Sequence, residues 1–286
     1  MNKDNTVNDL VQYIRSELSA IYPINEINSL INIIFQHVTP LKKPHQLHMH
    51  PEKKLHPDHS QHIKDITKQL KTGKPIQQIL KETEFYDLRL KITPEVLIPR
   101  QETEELVDWM IHDLAHETCR ILDIGTGTGC IALALAKNLH HSQVSALDYC
   151  DRILRVAREN ARINKVNIHL FKANLLKEEP IPGEYHVIVS NPPYVRESEK
   201  KRMHPNVLNH EPGEALFVSD QDPLIFYRTI MNYANRNLQP GGYVYFEINE
   251  ALGAEMKGLL QTFAYQNIVL QKDLNGKDRM IKAQKP

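Results

Sequence analysis

The sequence has 286 residues, of which 41% are hydrophobic, and its 35 basic and 35 acidic side chains give a formal net charge of zero. A chain of this length can form one or two domains with a large core. Proteins that hold duplex nucleic acid through many phosphate contacts usually carry an excess of basic residues, so the balanced charge argues against DNA or RNA as a direct partner.

No segment of the sequence predicts export or membrane insertion. No run approaches the roughly 18 consecutive apolar residues of a membrane-spanning helix, and no apolar segment typical of a signal peptide follows the first residues. The three cysteines, Cys119, Cys130 and Cys150, do not form a disulfide framework, and we expect reduced thiols. The sequence therefore predicts a cytoplasmic protein that does not contact a membrane.

Residues 1–72 are predicted to form a small domain of about four helices, because apolar residues recur there at helical spacing. The recurrence is clearest in the segments 10–18, 27–35 and 63–70. This part of the chain lacks the alternation of strands and helices found later, which indicates a separate domain.

A histidine-rich segment lies between these predicted helices. It holds six of the 15 histidines of the chain, namely His45, His48, His50, His56, His59 and His62. Neighbouring imidazoles could chelate a metal ion. No cysteine and no His-x-x-x-His pair supports such a site, so we interpret the segment as a solvated loop and helix start and predict no metal site.

Residues 73–98 are predicted to connect the helical domain to the rest of the chain. The sequence Gly73-Lys74-Pro75 interrupts the helical pattern. Alternating apolar residues between 84 and 93 predict a β-hairpin that turns near Asp87. An amphipathic helix with an acidic first turn is predicted over 102–114.

Strands and helices alternate over 99–286, which predicts a doubly wound, mostly parallel α/β sheet of the Rossmann type. The last two strands are joined by a short turn at Asn275-Gly276 and can pair only antiparallel. A long polar loop is predicted over 196–220. The predicted strands are 120–124, 143–148, 166–171, 185–190, 243–248, 266–272 and 279–283, and the predicted helices are 129–139, 151–163, 222–237 and 250–263.

A glycine loop, Gly125-Thr126-Gly127-Thr128-Gly129, follows the first of these strands. Glycines let a ligand approach the backbone closely, and the amides at the next helix start favour a carboxylate or a phosphate. Asp148 ends the second strand, where an acidic residue can bind ribose hydroxyls. These features suit a nicotinamide dinucleotide or S-adenosyl-L-methionine, and the Gly-x-Gly-x-Gly spacing favours S-adenosyl-L-methionine.

Three further residues are candidates for contacts with this methyl donor. Asp123 is expected to fix the glycine loop or to meet the amino group of the donor. Asn174 and Leu175 follow the third strand, at a position that normally faces adenine. The Asn174 oxygen could accept a hydrogen bond from the adenine amine and Leu175 could pack on the ring, although a simple turn would use the same asparagine.

The tetrapeptide Asn191-Pro192-Pro193-Tyr194 follows the fourth strand and is the predicted reacting site. An amide nitrogen is a poor nucleophile, and two fixed acceptors can orient both of its N–H groups. The side-chain oxygen of Asn191 and the stiffened carbonyl of Pro192 could serve as these acceptors. Tyr194 could form a flat wall. Catalysis would then rest on positioning and on stabilising the positive charge that develops on nitrogen. A proline-rich turn without such a role is the alternative.

The sequence resembles the protein glutamine N-methyltransferases that modify peptide-chain release factors. The resemblance covers about residues 73–286, and the N-terminal part fits in size and position. Besides the glycine loop and the tetrapeptide, the matching segments are Gly73-Lys74-Pro75-Ile76-Gln77, Glu84-Phe85-Tyr86, residues 97–104 around Ile98-Pro99-Arg100, Glu211-Pro212 with Ala215-Leu216, and residues 273–279.

This resemblance implies that an S-adenosyl-L-methionine-dependent enzyme methylates the glutamine amide in a Gly-Gly-Gln loop of the release factor, with S-adenosyl-L-homocysteine as product. The helical domain would help to grip the factor. Arg100 and the turn at Glu102 would line the donor pocket, although a purely salt-bridging role is also open. The sequence departs from the family at Gln78, Lys81 and Asn174, and in the histidine-rich segment.

Two other functions are compatible with the motifs. An amino-methyltransferase acting on adenine or guanine of DNA or RNA would also need acceptors for a planar, conjugated amine. The neutral charge and the absence of a second large recognition domain argue against it. A non-catalytic protein that binds S-adenosyl-L-methionine is the second alternative, and the intact motifs argue against that.

Overall fold

The computed structural model describes residues 5–41, 43–177, 179 and 181–286. The α-helices, in chain order, are α1 (Val7–Leu18), α2 (Ile24–Val38), α3 (His45–Met49), α4 (Pro57–Leu70), α5 (Ile76–Leu80), α6 (Gln101–Leu114), α7 (Cys130–Asn138), α8 (Asp151–Asn164), α9 (Pro205–His210), α10 (Ile225–Asn237) and α11 (Gly253–Thr262). The strands are β1 (Glu82–Phe85), β2 (Leu88–Lys91), β3 (Arg120–Ile124), β4 (Gln143–Asp148), β5 (His169–Lys172), β6 (Tyr185–Ser190), β7 (Val195–Arg196), β8 (Phe217–Val218), β9 (Leu238–Glu247), β10 (Gln266–Lys272) and β11 (Asp278–Gln284).

The chain divides into two compact units. The first consists of Met1–Lys81 with Pro205–His210, and the second of Glu82–His204 with Glu211–Pro286. The functional division predicted from the sequence, at residues 72 and 98, stays a prediction.

The first unit is helical, as predicted. Buried apolar residues of α1, α2 and α4 form one core cluster, and the short helices α3 and α5 each add a buried residue to it. Helix α1 begins with a capping box, in which Thr6 accepts from the Asp9 amide (3.1 Å) and Asp9 accepts from the Thr6 amide (2.9 Å). Helix α9 joins this unit through its last carbonyl, since the Gln78 side chain donates to the carbonyl of His210 (2.6 Å).

The histidine-rich segment is more ordered than the predicted loop. Helix α3 begins at His45 and is anchored by the buried side chain of Leu47. His56 caps α4, because its Nδ1 accepts a hydrogen bond from the Asp58 amide at 3.3 Å. Among the described residues, no group of three or more histidine, cysteine, aspartate or glutamate side chains could hold a metal ion.

The second unit contains a seven-stranded sheet in the spatial order β10-β11-β9-β6-β3-β4-β5. Strands β5, β4, β3, β6 and β9 are parallel, whereas β11 pairs antiparallel with both β9 and β10. Two clusters of buried apolar residues pack against this sheet. The prediction of a mostly parallel α/β sheet with a late antiparallel pair is confirmed.

The chain reverses its direction across the sheet at β3. It passes from β3 through β4 to β5 on one side and then crosses to β6 on the other side. Ile124 at the end of β3 pairs with Ser190 at the end of β6, so the glycine loop and the tetrapeptide leave the sheet side by side. Open α/β sheets bind ligands in the crevice beyond the carboxyl ends of strands at such a reversal.

The predicted hairpin is formed by β1 and β2. Its turn residues, Tyr86 and Asp87, both have positive φ (44° and 59°), as two-residue turns between antiparallel strands require. The hairpin is tied to α8 by Asn160, whose side-chain oxygen accepts from the Lys91 amide at 2.6 Å.

Strand β5 begins later than predicted, at His169 instead of residue 166. Lys165 ends α8 in a left-handed conformation, and the Val166 amide still donates to the carbonyl of Ala161 (3.0 Å). The helix cap therefore holds the residues that the apolar pattern assigned to the strand. The other predicted helix bounds differ by a few residues at the ends, where helices fray.

Two more segments have a structure that differs from the one predicted from the sequence. Strand β9 begins at Leu238, earlier than the predicted start at residue 243, and therefore includes Gly241 and Gly242. A Cβ atom on Gly242 would lie only 2.7 Å from the carbonyl oxygen of His186, so glycine permits close approach of neighbouring backbone. The segment 196–220 is not one polar loop, since it contains β7, α9, β8 and two short 3-10 helices.

Candidate active site

A cavity of about 690 Å³ lies at the carboxyl ends of β3, β4 and β6, a volume that suits a small ligand. All of its described lining residues belong to the second unit. The lining includes these residues predicted from the sequence: Arg100, Gly125, Thr126, Gly127, Thr128, Asp148, Asn174, Leu175, Asn191, Pro192 and Pro193.

The glycine loop needs glycine for two different reasons. Gly125 and Gly127 have positive φ values of 74° and 55°, and no described heavy atom lies within 4 Å of a Cβ built at either position. Their open side belongs to the cavity wall. Gly129 (φ 84°) is not among the described lining residues, and its Cβ would lie 3.3 Å from Ala157 Cβ and from Leu133 Cδ1. Glycine at this position therefore permits the start of α7 to approach α8 closely, and its predicted contact with the cofactor stays a prediction.

Asp148 presents one unused acceptor in the cavity wall. Its Oδ2 accepts from the Gly127 amide at 3.1 Å, whereas its buried Oδ1 has no hydrogen-bond partner among the described residues. Burial raises the pKa of this carboxyl. A buried acceptor without a partner is costly, so Asp148 fits a ligand hydroxyl, as a ribose would supply.

Asp123 fixes the glycine loop through a hydrogen bond to one of its residues, Thr126. It is fully buried, and its Oδ2 accepts from the Thr126 hydroxyl at 2.6 Å. Burial, with a smaller contribution from the negative charge of Asp148, raises the pKa of Asp123 to about 7. Because Asp123 is not among the described lining residues, the geometry favours the loop-fixing role over a contact with the donor.

Asn174 and Leu175 both line the cavity, but they differ in how far they match the prediction. The side-chain oxygen of Asn174 accepts from the Leu176 amide at 3.0 Å, which is the turn role given as its alternative. Leu175 offers an apolar side chain to the cavity, as expected for packing against a ring.

Arg100 lines the cavity while pairing with a buried acid. Its Nη2 lies 2.6 Å from Glu211 Oε1, and the second oxygen of Glu211 accepts from the Ile98 amide at 3.2 Å. This pair joins two of the segments that carry the resemblance, residues 97–104 and Glu211-Pro212. The Arg100 charge is therefore committed to Glu211, and its salt-bridging role is observed.

The tetrapeptide is fixed at both ends. Before it, the Ser190 hydroxyl donates to the carbonyl of Ile124 at 2.6 Å. At its far end, the Tyr194 hydroxyl donates to Glu247 Oε1 at 2.8 Å, and the Tyr194 carbonyl accepts from Asn249 at 3.1 Å. Tyr194 is not among the described lining residues of this cavity, and its role as a flat wall for the substrate stays a prediction.

Two polar residues behind Asn191 were missed by the sequence analysis. Thr103, in the first turn of α6, accepts from Asn191 Nδ2 (3.1 Å) and donates to Glu247 Oε2 (2.6 Å). Glu247 is the last residue of β9 and is 1% exposed, and burial raises its pKa. One signal in the sequence could have revealed Glu247, since it is the single acidic residue of the predicted, otherwise apolar strand over 243–248.

Another part of the cavity wall contains aromatic and aliphatic side chains, and the sequence analysis also missed it. Tyr149 and Leu176 line the cavity while staying 45% and 49% exposed, and Phe217 and Phe226 complete this part of the lining. The Tyr149 hydroxyl donates to the carboxylate of Glu214. These residues lie after β4, after β5, in β8 and in α10, so only the fold brings them together.

Two protein-family models match the chain. The Methyltransferase small domain matches residues 102–216, and the PrmC N-terminal domain matches residues 9–80. The chain is 46% identical to the release factor glutamine methyltransferase of Flavobacterium psychrophilum over 93% of this chain and 94% of that protein. It is 38% identical to the same enzyme of Bacteroides thetaiotaomicron, over 97% and 99%.

Solved structures show a similar fold at low sequence identity. A methyltransferase from Pyrococcus furiosus aligns with a TM-score of 0.52 and 20% identity over 73% of this chain and 93% of that chain. A 16S rRNA methyltransferase of T. thermophilus in complex with AdoMet and guanosine aligns with a TM-score of 0.53 and 18% identity, over 72% and 50%. Separately, no helix among the described residues is long and apolar enough to span a membrane.

Proposed function

The chain belongs to the family of release factor glutamine methyltransferases, and on that premise we propose that it methylates the side-chain amide nitrogen of the glutamine in a Gly-Gly-Gln loop of a peptide-chain release factor. It is an N-methyltransferase that uses S-adenosyl-L-methionine. The observation that carries the proposal is one cavity faced by both the glycine loop and the segment Asn191–Pro193. A donor and a planar amide can therefore meet in a single site.

The residues present fit the donor. The backbone of Gly125–Thr128 gives an open wall, Asp148 has an acceptor for a ribose hydroxyl, and Leu175 offers an apolar surface for the adenine. When bound, S-adenosyl-L-methionine supplies an electrophilic methyl group and leaves as S-adenosyl-L-homocysteine. Asp123 acts on this pocket indirectly, since it fixes the loop through Thr126.

Asn191 and Pro192 orient the substrate amide. The Asn191 Oδ1 and the Pro192 carbonyl accept its two N–H groups, which fixes the nitrogen and favours positive charge on it. No strong general base is required, because an alkylated amide nitrogen is highly acidic and releases its proton to water afterwards. Tyr194 contributes by holding the backbone of the tetrapeptide through Glu247 and Asn249.

We further assign the three predicted parts of the chain to this reaction. The helical domain over 1–72 binds the release factor, residues 73–98 link it to the catalytic part, and 99–286 carry out transfer. The match of residues 9–80 to the N-terminal domain model of this family supports the first assignment. We place the reaction in the cytoplasm, which is consistent with three free cysteines.

The test is transfer of tritium from labelled S-adenosyl-L-methionine to purified, unmethylated release factor. The control is the same factor with the glutamine of its Gly-Gly-Gln loop replaced by alanine. We expect label on the first protein and none on the second. Label on neither protein, with donor binding confirmed by calorimetry, would contradict the proposal, and label on DNA or RNA in its place would identify a different substrate.

A further inference from the structure

We propose that Thr103 and Glu247 are positioning residues that fix the orientation of the Asn191 amide, so that its oxygen faces the substrate. The two residues would thereby set the preference of the site for a carboxamide over a carboxylate. This inference rests on the proposed function, because it concerns how the same site recognises a glutamine side chain.

Three side chains form a continuous chain of hydrogen bonds that begins at the cavity wall. Asn191 Nδ2 lies 3.1 Å from Thr103 Oγ1, and Thr103 Oγ1 lies 2.6 Å from Glu247 Oε2. Asn191 and Thr103 both line the cavity, although Thr103 is only 2% exposed, and Glu247 is 1% exposed. The chain therefore runs from the cavity surface into the interior of the second unit.

The direction of these hydrogen bonds follows from the donors available. In its ionised form the Glu247 carboxylate has acceptors only, and both of its oxygens are engaged, one by the Tyr194 hydroxyl (2.8 Å) and the other by Thr103. Burial raises the pKa of Glu247, so this direction of hydrogen bonding holds at a pH above that pKa. Thr103 therefore donates its single hydroxyl hydrogen to Glu247. The Thr103 oxygen can then only accept, and the group of Asn191 that faces it must be the NH₂.

This direction matters because the two ends of an asparagine amide have nearly the same shape. Packing alone does not distinguish its oxygen from its nitrogen, whereas a fixed donor-acceptor pattern does. With the NH₂ bound to Thr103, Asn191 presents its Oδ1 to the cavity next to the Pro192 carbonyl. The site then offers two acceptors and no donor at this point.

Two acceptors select for a substrate with two N–H groups. A glutamine amide satisfies both, whereas a glutamate carboxylate would place its own lone pairs against them. A site built to hydrogen-bond a group rejects an analogue that leaves its polar atoms unpaired, often by several powers of ten. Selection against the carboxylate therefore depends on Asn191 staying in this orientation.

The test compares Thr103→Val, Thr103→Ser and wild type in the full-length enzyme. Valine keeps the size and shape of threonine but removes the hydroxyl, and serine restores it. We expect Thr103→Val to lower kcat about 10- to 100-fold with KM for S-adenosyl-L-methionine within about twofold of wild type. Thr103→Ser should stay close to wild type. Thr262→Val, in α11, is a matched control that should leave activity unchanged, since Thr262 bonds only a helix carbonyl among the described residues.

The decisive readout is selectivity. Release factor whose loop glutamine is replaced by glutamate serves as a competitor of labelled transfer. We expect it to inhibit wild type weakly and Thr103→Val at least about tenfold more strongly relative to unmodified factor, because a freed Asn191 can turn its NH₂ toward the carboxylate.

An unchanged kcat, or a lower kcat with unchanged selectivity, in Thr103→Val would overturn the inference. Should Thr103→Val fail to fold, Glu247→Met carries the same test, since it keeps the approximate length of the side chain and removes the acceptor that orients the Thr103 hydroxyl. Failure of this inference can be distinguished from failure of the proposed function, because the proposed function is tested only by methyl transfer with the wild-type enzyme.

Discussion

Asn191 is the residue on which, in our proposal, methyl transfer depends most directly. Its side chain lines the cavity and is the predicted acceptor for one N–H group of the substrate. We predict that Asn191→Ala lowers kcat by roughly 100-fold or more, the range seen when one preorganised hydrogen-bonding group is removed from an active site. Donor affinity by calorimetry should stay within a few-fold of wild type. Turnover within tenfold of wild type would contradict the assigned role.

Asp148 is the corresponding residue for the donor. Its Oδ2 accepts from the Gly127 amide, and its Oδ1 has no partner among the described residues. In our proposal Oδ1 accepts from a ribose hydroxyl, so both oxygens of Asp148 act as acceptors. Asparagine has one acceptor only. We predict that Asp148→Asn weakens S-adenosyl-L-methionine binding about 10- to 100-fold, as expected for loss of a hydrogen bond to a charged group.

Equilibrium dialysis with labelled donor measures this effect. Asp151→Asn is the matched control, because Asp151 is exposed, pairs with Lys172 and is not among the described lining residues. Equal affinity of Asp148→Asn and wild type would show that the ribose is held elsewhere.

The site residues differ in how far a sequence can reveal them. The glycine loop and Asn191 each follow a strand and Asp148 ends one, so local pattern alone placed them at one edge of the sheet. Thr103 and Glu247 are 144 positions apart, and no local spacing links them. Tyr194 belonged to a recognised motif, yet its hydroxyl turns to Glu247, a partner that only the fold supplies.

At the level of elements, the close approach of the start of α7 to α8 depends on a position without a side chain. Gly129 has φ 84°, and its Cβ would lie 3.3 Å from Ala157 Cβ. We predict that Gly129→Ala destabilises the protein by about 1–3 kcal/mol, since a left-handed backbone and a close contact both oppose alanine.

Gly258→Ala provides the opposite case in the same protein. Gly258 lies inside α11, and no described heavy atom is within 4 Å of a Cβ built there. Alanine should stabilise this helix by roughly 0.5–1 kcal/mol. Thermal unfolding of both variants checks the pair, and equal shifts in Tm would contradict the packing role of Gly129.

Sequence patterns predicted most helices and strands, but they did not predict where β5 begins or that residues 205–210 form a helix. Periodicity identifies α8 and the apolar strand β5, but the start of β5 at His169 is decided by the left-handed cap at Lys165. Residues 205–210 read as part of a polar loop, because a short helix with few apolar residues leaves little pattern. Their packing with the first unit is a tertiary contact that no local signal records.

At the scale of the whole molecule, burial of acids under the site makes stability depend on pH. The pKa of Asp123 is raised to about 7, chiefly by burial and further by Asp148, against the opposing hydrogen bonds of Thr126 and Ala132. The pKa of an aspartate in an unfolded chain is about 4. Between these values the folded protein binds more protons than the unfolded chain, so the contribution of Asp123 to stability falls as pH rises from about 4 to 7 and is constant above.

Asp123→Asn removes this titration, although it also alters the bond to Thr126. We therefore predict that the free energy of unfolding of the variant, minus that of wild type, increases between pH 5 and pH 7 and levels off above pH 8. Urea unfolding followed by the fluorescence of Trp109 measures it, because Trp109 is the single tryptophan and packs against Tyr245 in the second unit. A difference that stays constant across this pH range would show that Asp123 titrates in the folded protein as it does in the unfolded chain. Burial would then not be the force that sets its charge, and the glycine loop would rest on an ionised carboxylate at every working pH.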